Sequence, residues 1–182
     1  MRGKHTFNLQ SQDHQRDLPR KIIIGQQDTE TMAHVILKLL AYILFYRPRL
    51  QMEFDLKQDS LPFVPDLVEL DYELRPKLWI ECGECSHGKL HKLAVKLPET
   101  EFWIVKRSAN TAQRLLRDMA EEDFRRDRYS IIGFDAEMFE EMCGLVQSRN
   151  ELFWVTATFD PPAMQFDFNG LWFDSPFTVL RY

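Results

Sequence analysis

Hydrophobic and polar residues recur with two different periods along the chain, and together these periods predict a mixture of strands and helices. Alternation over short runs is typical of strands, whereas apolar residues three and four apart indicate helices. The pattern predicts two opening strands, "HTFNLQ" and "RKIIIG", joined by a polar turn into a hairpin. A helix is predicted next, from about Thr29 to Tyr46, with apolar residues on more than one side. Such a helix is buried on most of its surface, and Glu30 is expected in its first turn, facing the same way as His34.

The remaining pattern continues this mixture. Three short strands are predicted in "LQMEFDL", "VPDLVELDY" and "PKLWIEC", and three helices in "HGKLHKLAVKLP", "ANTAQRLLRDMAEEDF" and "DAEMFEEMCGLVQS", with the strands "EFWIVKR" and "RYSIIGF" between the helices. Asp135 is a suitable N-cap for the last helix. The tail from Glu151 alternates like strands and contains Asn169-Gly170, a strong hairpin signal. The order of elements predicts an α/β fold with a mixed sheet.

Composition and charge narrow the class of protein. A chain of 182 residues with 45% hydrophobic residues is suited to one domain with a sizeable core. A net charge of −5 argues against a protein that coats nucleic acid, but it leaves room for a local nucleic-acid-binding cleft. No apolar run approaches the ~18 residues that span a bilayer, and no secretory signal is visible at the start. Three cysteines do not form a disulfide framework, so we expect a cytoplasmic protein without a membrane segment.

Two carboxylates on neighbouring predicted strands are the first candidates for chemistry. Asp66 follows Pro65 at the start of one strand, and Glu81 lies near the end of the next strand. Two carboxylates a few ångströms apart repel each other unless a divalent cation lies between them. We therefore expect Asp66 and Glu81 to bind Mg²⁺ or Mn²⁺, with Glu30 as a third acidic group from the preceding helix.

A cation beside such a metal suits phosphodiester hydrolysis, because the growing negative charge needs stabilisation. Lys89 and Lys92 lie one to two turns into the helix after Glu81, and either is a candidate for this role. The other interpretation of the lysines on this helix is a solvated face.

Segments across nearly the whole chain resemble one known family. "DTETMAHVILKLLAY", "VPDLVELDYELRPKLWIECGE" and the tail, with "ELFWVTATFD" and "MQFDFNGLWFD", are similar to the YaeQ family. The resemblance implies the fold of the PD-(D/E)XK, or restriction-endonuclease-like, nuclease superfamily. It further implies a single domain over residues 1–182. That domain would have a nuclease-like core at about residues 28–107, with a mixed β-sheet flanked by helices, an N-terminal hairpin and a C-terminal β-rich extension.

The resemblance also assigns site residues. It places the helix acid of the superfamily on Glu30, the aspartate of the PD pair on Asp66 and the (D/E) acid on Glu81. The lysine of the pattern would stand at position 83, where this chain has glycine. The matching lysine in the next helix is Lys92, with Lys89 as second choice.

The function implied is Mg²⁺-dependent (or Mn²⁺-dependent) cleavage of phosphodiesters in nucleic acid. The alternative is a catalytically inactive protein of the nuclease fold that serves as a nucleic-acid-binding, protein-binding or regulatory module. The glycine at position 83 and the acidic net charge favour this alternative.

Three further interpretations concern other residues. Cys82, Cys85, His87 and His91 have the ligand types of a zinc site, and Cys82 with Cys85 forms a C-x2-C pair of the kind found in redox proteins. Against zinc, a strand that presents Glu81 on one face turns Cys82 to the other face, toward the packed core. Against a redox pair, the next helix is predicted to begin several residues after Cys82, so this cysteine does not lie at a helix N-terminus. The aromatic residues of the predicted strands can stack on bases, but core packing is the commoner role. These residues are Trp79, Trp103, Phe153, Trp154, Phe166, Phe168 and Trp172.

Overall fold

The structure, a computed structural model, describes residues 3–182 and confirms the mixed α/β class. The strands are β1 (Gly3–Ser11), β2 (Lys21–Gln26), β3 (Leu50–Met52), β4 (Leu67–Leu70), β5 (Pro76–Cys82), β6 (Glu101–Lys106), β7 (Tyr129–Gly133), β8 (Arg149–Phe159), β9 (Pro162–Phe168), β10 (Leu171–Pro176) and β11 (Thr178–Arg181). The helices are α1 (Met32–Leu44), α2 (His87–Lys96), α3 (Ala109–Glu121) and α4 (Ala136–Gly144). No described helix has both the length and the apolar character that crossing a membrane requires.

The strands form two mixed sheets. One sheet has five strands in the order β10-β9-β8-β1-β2, and the other has six in the order β11-β7-β6-β5-β4-β3. In the six-stranded sheet β5, β6 and β7 are parallel, while β4 runs antiparallel to β5. The carboxyl ends of β5 and β6 therefore meet the start of β4 at one edge of this sheet, and the candidate site lies at that edge.

Helix α1 lies between the two sheets and explains why its sequence is apolar on most sides. It contacts β2 of the five-stranded sheet and β4, β5 and β6 of the six-stranded sheet. One hydrophobic core joins the helix to both sheets, and Cys82 belongs to it, as the alternation along β5 predicted. A second core covers the other face of the six-stranded sheet, beneath α2 and α3.

The predicted hairpin at the start of the chain is confirmed, but it is not a separate appendage. β1 pairs antiparallel with β2 and also parallel with β8, so the hairpin and the C-terminal strands share one sheet. The hairpin at Asn169-Gly170 is confirmed as well, because these two residues join β9 to β10 with positive φ angles. Parallel pairing between distant segments leaves no local signal in a sequence, so the pattern did not predict the second sheet.

The start of α1 differs from the prediction. The helix begins at Met32 with Thr31 as its N-cap, so Glu30 precedes the helix instead of lying in its first turn. The Glu30 carboxylate accepts a hydrogen bond from the backbone N–H of Gln27 at 2.9 Å, and the Glu30 N–H donates to the Gln27 carbonyl at 3.0 Å. These two bonds hold a turn, which delays the helix.

The aromatic residues on the strands are mostly core residues. Trp79, Trp103, Trp154, Phe166 and Phe168 are buried, whereas Phe153 and Trp172 are exposed on the five-stranded sheet. Burial accounts for the first five and removes them from any surface that stacks on bases.

Candidate metal centre and adjoining cleft

Asp66 lies at the junction of β4, β5 and α1. Leu67 pairs with Ile80, which sets Asp66 beside the end of β5. One oxygen of its carboxylate, Oδ2, accepts a hydrogen bond from the backbone N–H of Cys82 at 2.7 Å. The other oxygen, Oδ1, lies 2.9 Å from His34 Nε2 on α1. The strand pairing thus fixes Asp66, and its second oxygen faces the helix.

Glu30, His34 and Asp66 form a compact group of metal-ligand types. One ligand atom from each residue lies within 4.8 Å of the others. Among residues 3–182, this is the one place where three or more histidine, cysteine, aspartate or glutamate side chains come so close together. His34 Nε2 is 3.6 Å from Glu30 Oε1. Two carboxylates and one imidazole are a donor set that divalent transition metals accept. The three residues therefore fit a divalent cation.

The negative charges of Asp66 and Glu30 change the pKa of His34. Burial lowers the pKa of the imidazole, but the hydrogen bond and charge of Asp66, together with the charge of Glu30, raise it by more, so the net pKa is above its usual value. The negative charges of the two carboxylates favour a cation between them.

A lysine from α1 holds the Glu30 carboxylate in place. Lys38 is fully buried, and its Nζ lies 3.0 Å from Glu30 Oε1 and 2.7 Å from Glu53 Oε1. Burial lowers its pKa, but the hydrogen bonds and charges of the two glutamates raise it by more, so Lys38 stays charged. Helical spacing puts Lys38 one turn after His34, so one face of α1 supplies both side chains.

Glu81 lies next to this group but has its own partners. Its Oε1 is 2.7 Å from Lys89 Nζ and accepts a hydrogen bond from Trp79 Nε1 at 2.6 Å. Burial is the largest effect on the Glu81 pKa and raises it, the charge of Asp66 raises it too, and the bond to Lys89 partly opposes both. Glu81 is thus a buried carboxyl held on the α2 side of the strand, outside the compact group.

The two candidate lysines of α2 have different environments. Lys89 is partly buried, contacts Glu81, and lies 5.7 Å from the centre of the Phe63 ring. Lys92 is exposed one turn further along the helix. The structure brings Glu30, Asp66, Glu81 and Lys89 into one neighbourhood and leaves Lys92 on the helix surface.

A cleft of about 530 Å³ opens beside the metal group. Glu30, His34, Gly83, Lys106 and Arg107 are among the residues that line it. Gly83 has a φ angle of +78°, a conformation that L-residues with side chains rarely adopt. This backbone conformation is a physical reason for a glycine at position 83.

The sequence pattern did not mark His34, Lys38 or Lys106 as site residues. The spacing of four residues from Glu30 to His34 was the available signal for the imidazole, and the helical continuation to Lys38 was the signal for the lysine. Lys106 ends the strand that pairs in parallel with β5, so the sequence alone could not show that it faces Gly83.

The geometry supports neither the zinc site nor the redox pair considered for residues 82–91. His87 pairs with Glu122 at 2.6 Å, and the His91 ring lies 3.8 Å from the centre of the Phe124 ring. All three cysteines are free, and burial raises the pKa of Cys82 well above its usual value and that of Cys85 to about 12. A redox cysteine needs a lowered pKa, which favours the thiolate form.

Comparison with known proteins decides the family. Residues 3–158 match the family model described as YaeQ protein. The chain belongs to the YaeQ family. It is similar in structure to the YaeQ protein from Xanthomonas axonopodis pv. citri, with a TM-score of 0.76, 21% identity and coverage of 98% of this chain and 97% of that one. The YaeQ protein from Pseudomonas syringae gives a TM-score of 0.74 at 15% identity, covering 99% and 96%. No curated protein matches the sequence. At these identities the two structures show a shared fold.

Proposed function

We propose that this YaeQ protein is a metal-dependent phosphodiester hydrolase that acts on nucleic acid, built on a restriction-endonuclease-like core of the PD-(D/E)XK superfamily. The observation that carries the proposal is the convergence of Glu30, His34 and Asp66 at the edge where β4 meets the end of β5. Glu81, a buried carboxyl with a raised pKa, lies close to Asp66 near the end of β5, on the α2 side of the strand.

Each residue has a role in this proposal. Glu30, His34 and Asp66 would hold the divalent cation, which would supply Lewis-acid polarisation of a phosphoryl oxygen and of a bound water. Glu81 would accept a proton from the attacking water, a role that suits a carboxyl whose pKa is raised. Lys89 keeps Glu81 oriented through its 2.7 Å contact. Mg²⁺ prefers all-oxygen ligands, so the imidazole of His34 favours Mn²⁺ over Mg²⁺.

The proposal is tested by metal binding and by cleavage measured on the same samples. Millimolar Mn²⁺ should raise the melting temperature of the wild type, because the cation relieves carboxylate repulsion only in the folded state. Asp66→Asn should lose most of this shift. Wild type with Mn²⁺ should cleave labelled DNA or RNA, and Glu81→Gln should retain the metal-induced shift while losing cleavage.

Lys77→Met is a matched control, since Lys77 is exposed at the opposite end of β5. It should melt, bind Mn²⁺ and cleave like the wild type. A wild-type melting temperature that Mn²⁺ does not change, with no cleavage above the Asp66→Asn background, would refute the proposal.

A second candidate function is a nuclease-fold protein without turnover that binds nucleic acid or a protein partner. One observation favours it: Glu81 is already engaged by Lys89 and Trp79, and Gly83 supplies no lysine beside it. The same experiment separates the two candidates. Stabilisation by Mn²⁺ and binding of an oligonucleotide without cleavage would select the second.

A further inference from the structure

Lys106 is a buried cation at the base of the cleft. It ends β6, and its side chain is almost completely buried. Its Nζ donates a hydrogen bond to the backbone carbonyl of Gly83 at 2.7 Å. The parallel pairing of β5 with β6 brings its ammonium group directly to position 83. The positive charge of Lys106 therefore lies beside the backbone of Gly83.

Within residues 3–182 this ammonium has one hydrogen-bond acceptor, the Gly83 carbonyl, and one ionic partner, Glu84, whose Oε1 lies 3.5 Å away. The Glu84 side chain is 96% exposed, so its pairing with Lys106 is weak and readily exchanged. An ammonium group has three donors, and a buried one is stable when those donors have strong acceptors. Lys106 can thus donate hydrogen bonds to an anionic group that enters the cleft.

The cleft gives that partner a definite chemistry. Arg107, Glu30 and His34 line the same cleft as Lys106. A group that binds both a divalent cation and a lysine–arginine pair carries several oxygens and a negative charge, which describes a phosphate. Lys89 is a poorer candidate, since it is paired with buried Glu81 and lies over Phe63.

We infer that Lys106, with Arg107 beside it, is the phosphate-binding cation of this site, and that it binds the non-bridging oxygens of a nucleic-acid phosphodiester. This inference rests on the proposed function and deepens it, since it places the substrate phosphate beside Lys106 in the cleft that Glu30 and His34 also line. Glu84 competes with the phosphate for Lys106 and yields to it on binding.

Binding is measured by fluorescence anisotropy with a short fluorescein-labelled oligothymidylate in Ca²⁺, so that turnover does not interfere. Lys106→Met should weaken binding by about tenfold or more, the loss expected for a hydrogen bond to a charged group. Glu84→Gln should tighten binding by up to about threefold, because an exposed competing charge is removed. Glu84 is exposed, so this second variant carries little risk to folding. Lys77→Met removes the same charge elsewhere and should bind like the wild type.

The outcomes separate this inference from the proposed function. Loss of binding in Lys106→Met together with a gain in Glu84→Gln supports the inference, even if Mn²⁺ fails to stabilise the protein and the metal proposal falls. Unchanged binding in folded Lys106→Met overturns it, as does a loss confined to Lys89→Met. Should Lys106→Met not fold, Glu84→Gln decides, and unchanged or weaker binding by that variant overturns the inference. A wild type that binds no oligonucleotide also overturns it, whatever its response to Mn²⁺.

Discussion

Lys38→Met should cost this protein substantial stability for a change of one charge. Lys38 is fully buried on α1, and its ammonium contacts Glu53 Oε1 at 2.7 Å, both oxygens of Glu30 at 3.0 and 3.1 Å, and the Gly25 carbonyl at 3.4 Å. Methionine has a similar length and fills the same space, so the change removes the charge and its hydrogen bonds with little loss of packing.

The size of the stability loss depends on Glu30 and Glu53, the two carboxylates that lose their partner. Removing one partner of a buried ion pair costs about 3–5 kcal/mol, because the other charge stays buried without compensation. The side chains of Glu30 and Glu53 are 12% and 31% exposed, so water can solvate them in part. We therefore expect a loss of about 2–4 kcal/mol, below the full cost for deeply buried partners.

The pH of the measurement matters. Burial lowers the pKa of Lys38, while Glu53 and Glu30 raise it by more. A lysine pKa raised in the folded state contributes stability fully below the ordinary lysine pKa, and that stability is lost as the pH rises through the folded value. Neutral pH therefore shows the whole effect, and strongly alkaline pH should reduce it.

Urea denaturation at neutral pH, followed by tryptophan fluorescence and circular dichroism, measures the difference. Lys77→Met serves as control, and its unfolding free energy should lie within about 0.5 kcal/mol of the wild type, as for most surface changes. A loss of under about 1 kcal/mol in Lys38→Met would refute the reasoning, since it would mean that the glutamates rearrange to water without cost.

Three further predictions concern other positions. Gly133→Ala should destabilise the protein by about 1–3 kcal/mol in urea denaturation, because a Cβ there would lie 2.7 Å from the Ser108 carbonyl; a neutral effect would contradict this close packing. His34→Gln should cost more stability at about pH 6 than at about pH 9, because the raised pKa of His34 adds stability that is lost above the folded value; a pH-independent difference would contradict the contact with Asp66. Gly83→Lys should cost about 1–2 kcal/mol through its positive φ angle, and a thermal melt that matches the wild type would show that the backbone does not exclude lysine.

The local sequence pattern predicted many elements of the fold correctly. The alternation in β5 correctly placed Cys82 in the core opposite Glu81, and Asp135 caps α4 by accepting a hydrogen bond from the Met138 N–H. It also predicted Asp66 and Glu81 on adjacent strands, and β4 and β5 are indeed neighbours. These features depend on side-chain periods and turn residues within a few positions, and a sequence records such short-range information directly.

The partners of the candidate residues required the tertiary structure. The sequence offered Lys89 and Lys92 on one helix, and only the packing of α2 on β5 brings Lys89 to Glu81 and leaves Lys92 exposed. The resemblance to a known family assigned Glu30 its place, but the turn with Gln27 sets that carboxylate ahead of α1.

The sequence by itself determined the order and type of most elements, the buried character of α1 and the acidic residues at the ends of two strands. The tertiary structure decided that β1 pairs with β8, that His34 joins Glu30 and Asp66, and that Lys106 reaches Gly83 from the neighbouring strand. The physical reason is one of range: helical and strand periods are local, whereas parallel pairing and charge clusters join residues far apart in the chain, whose proximity no local pattern encodes.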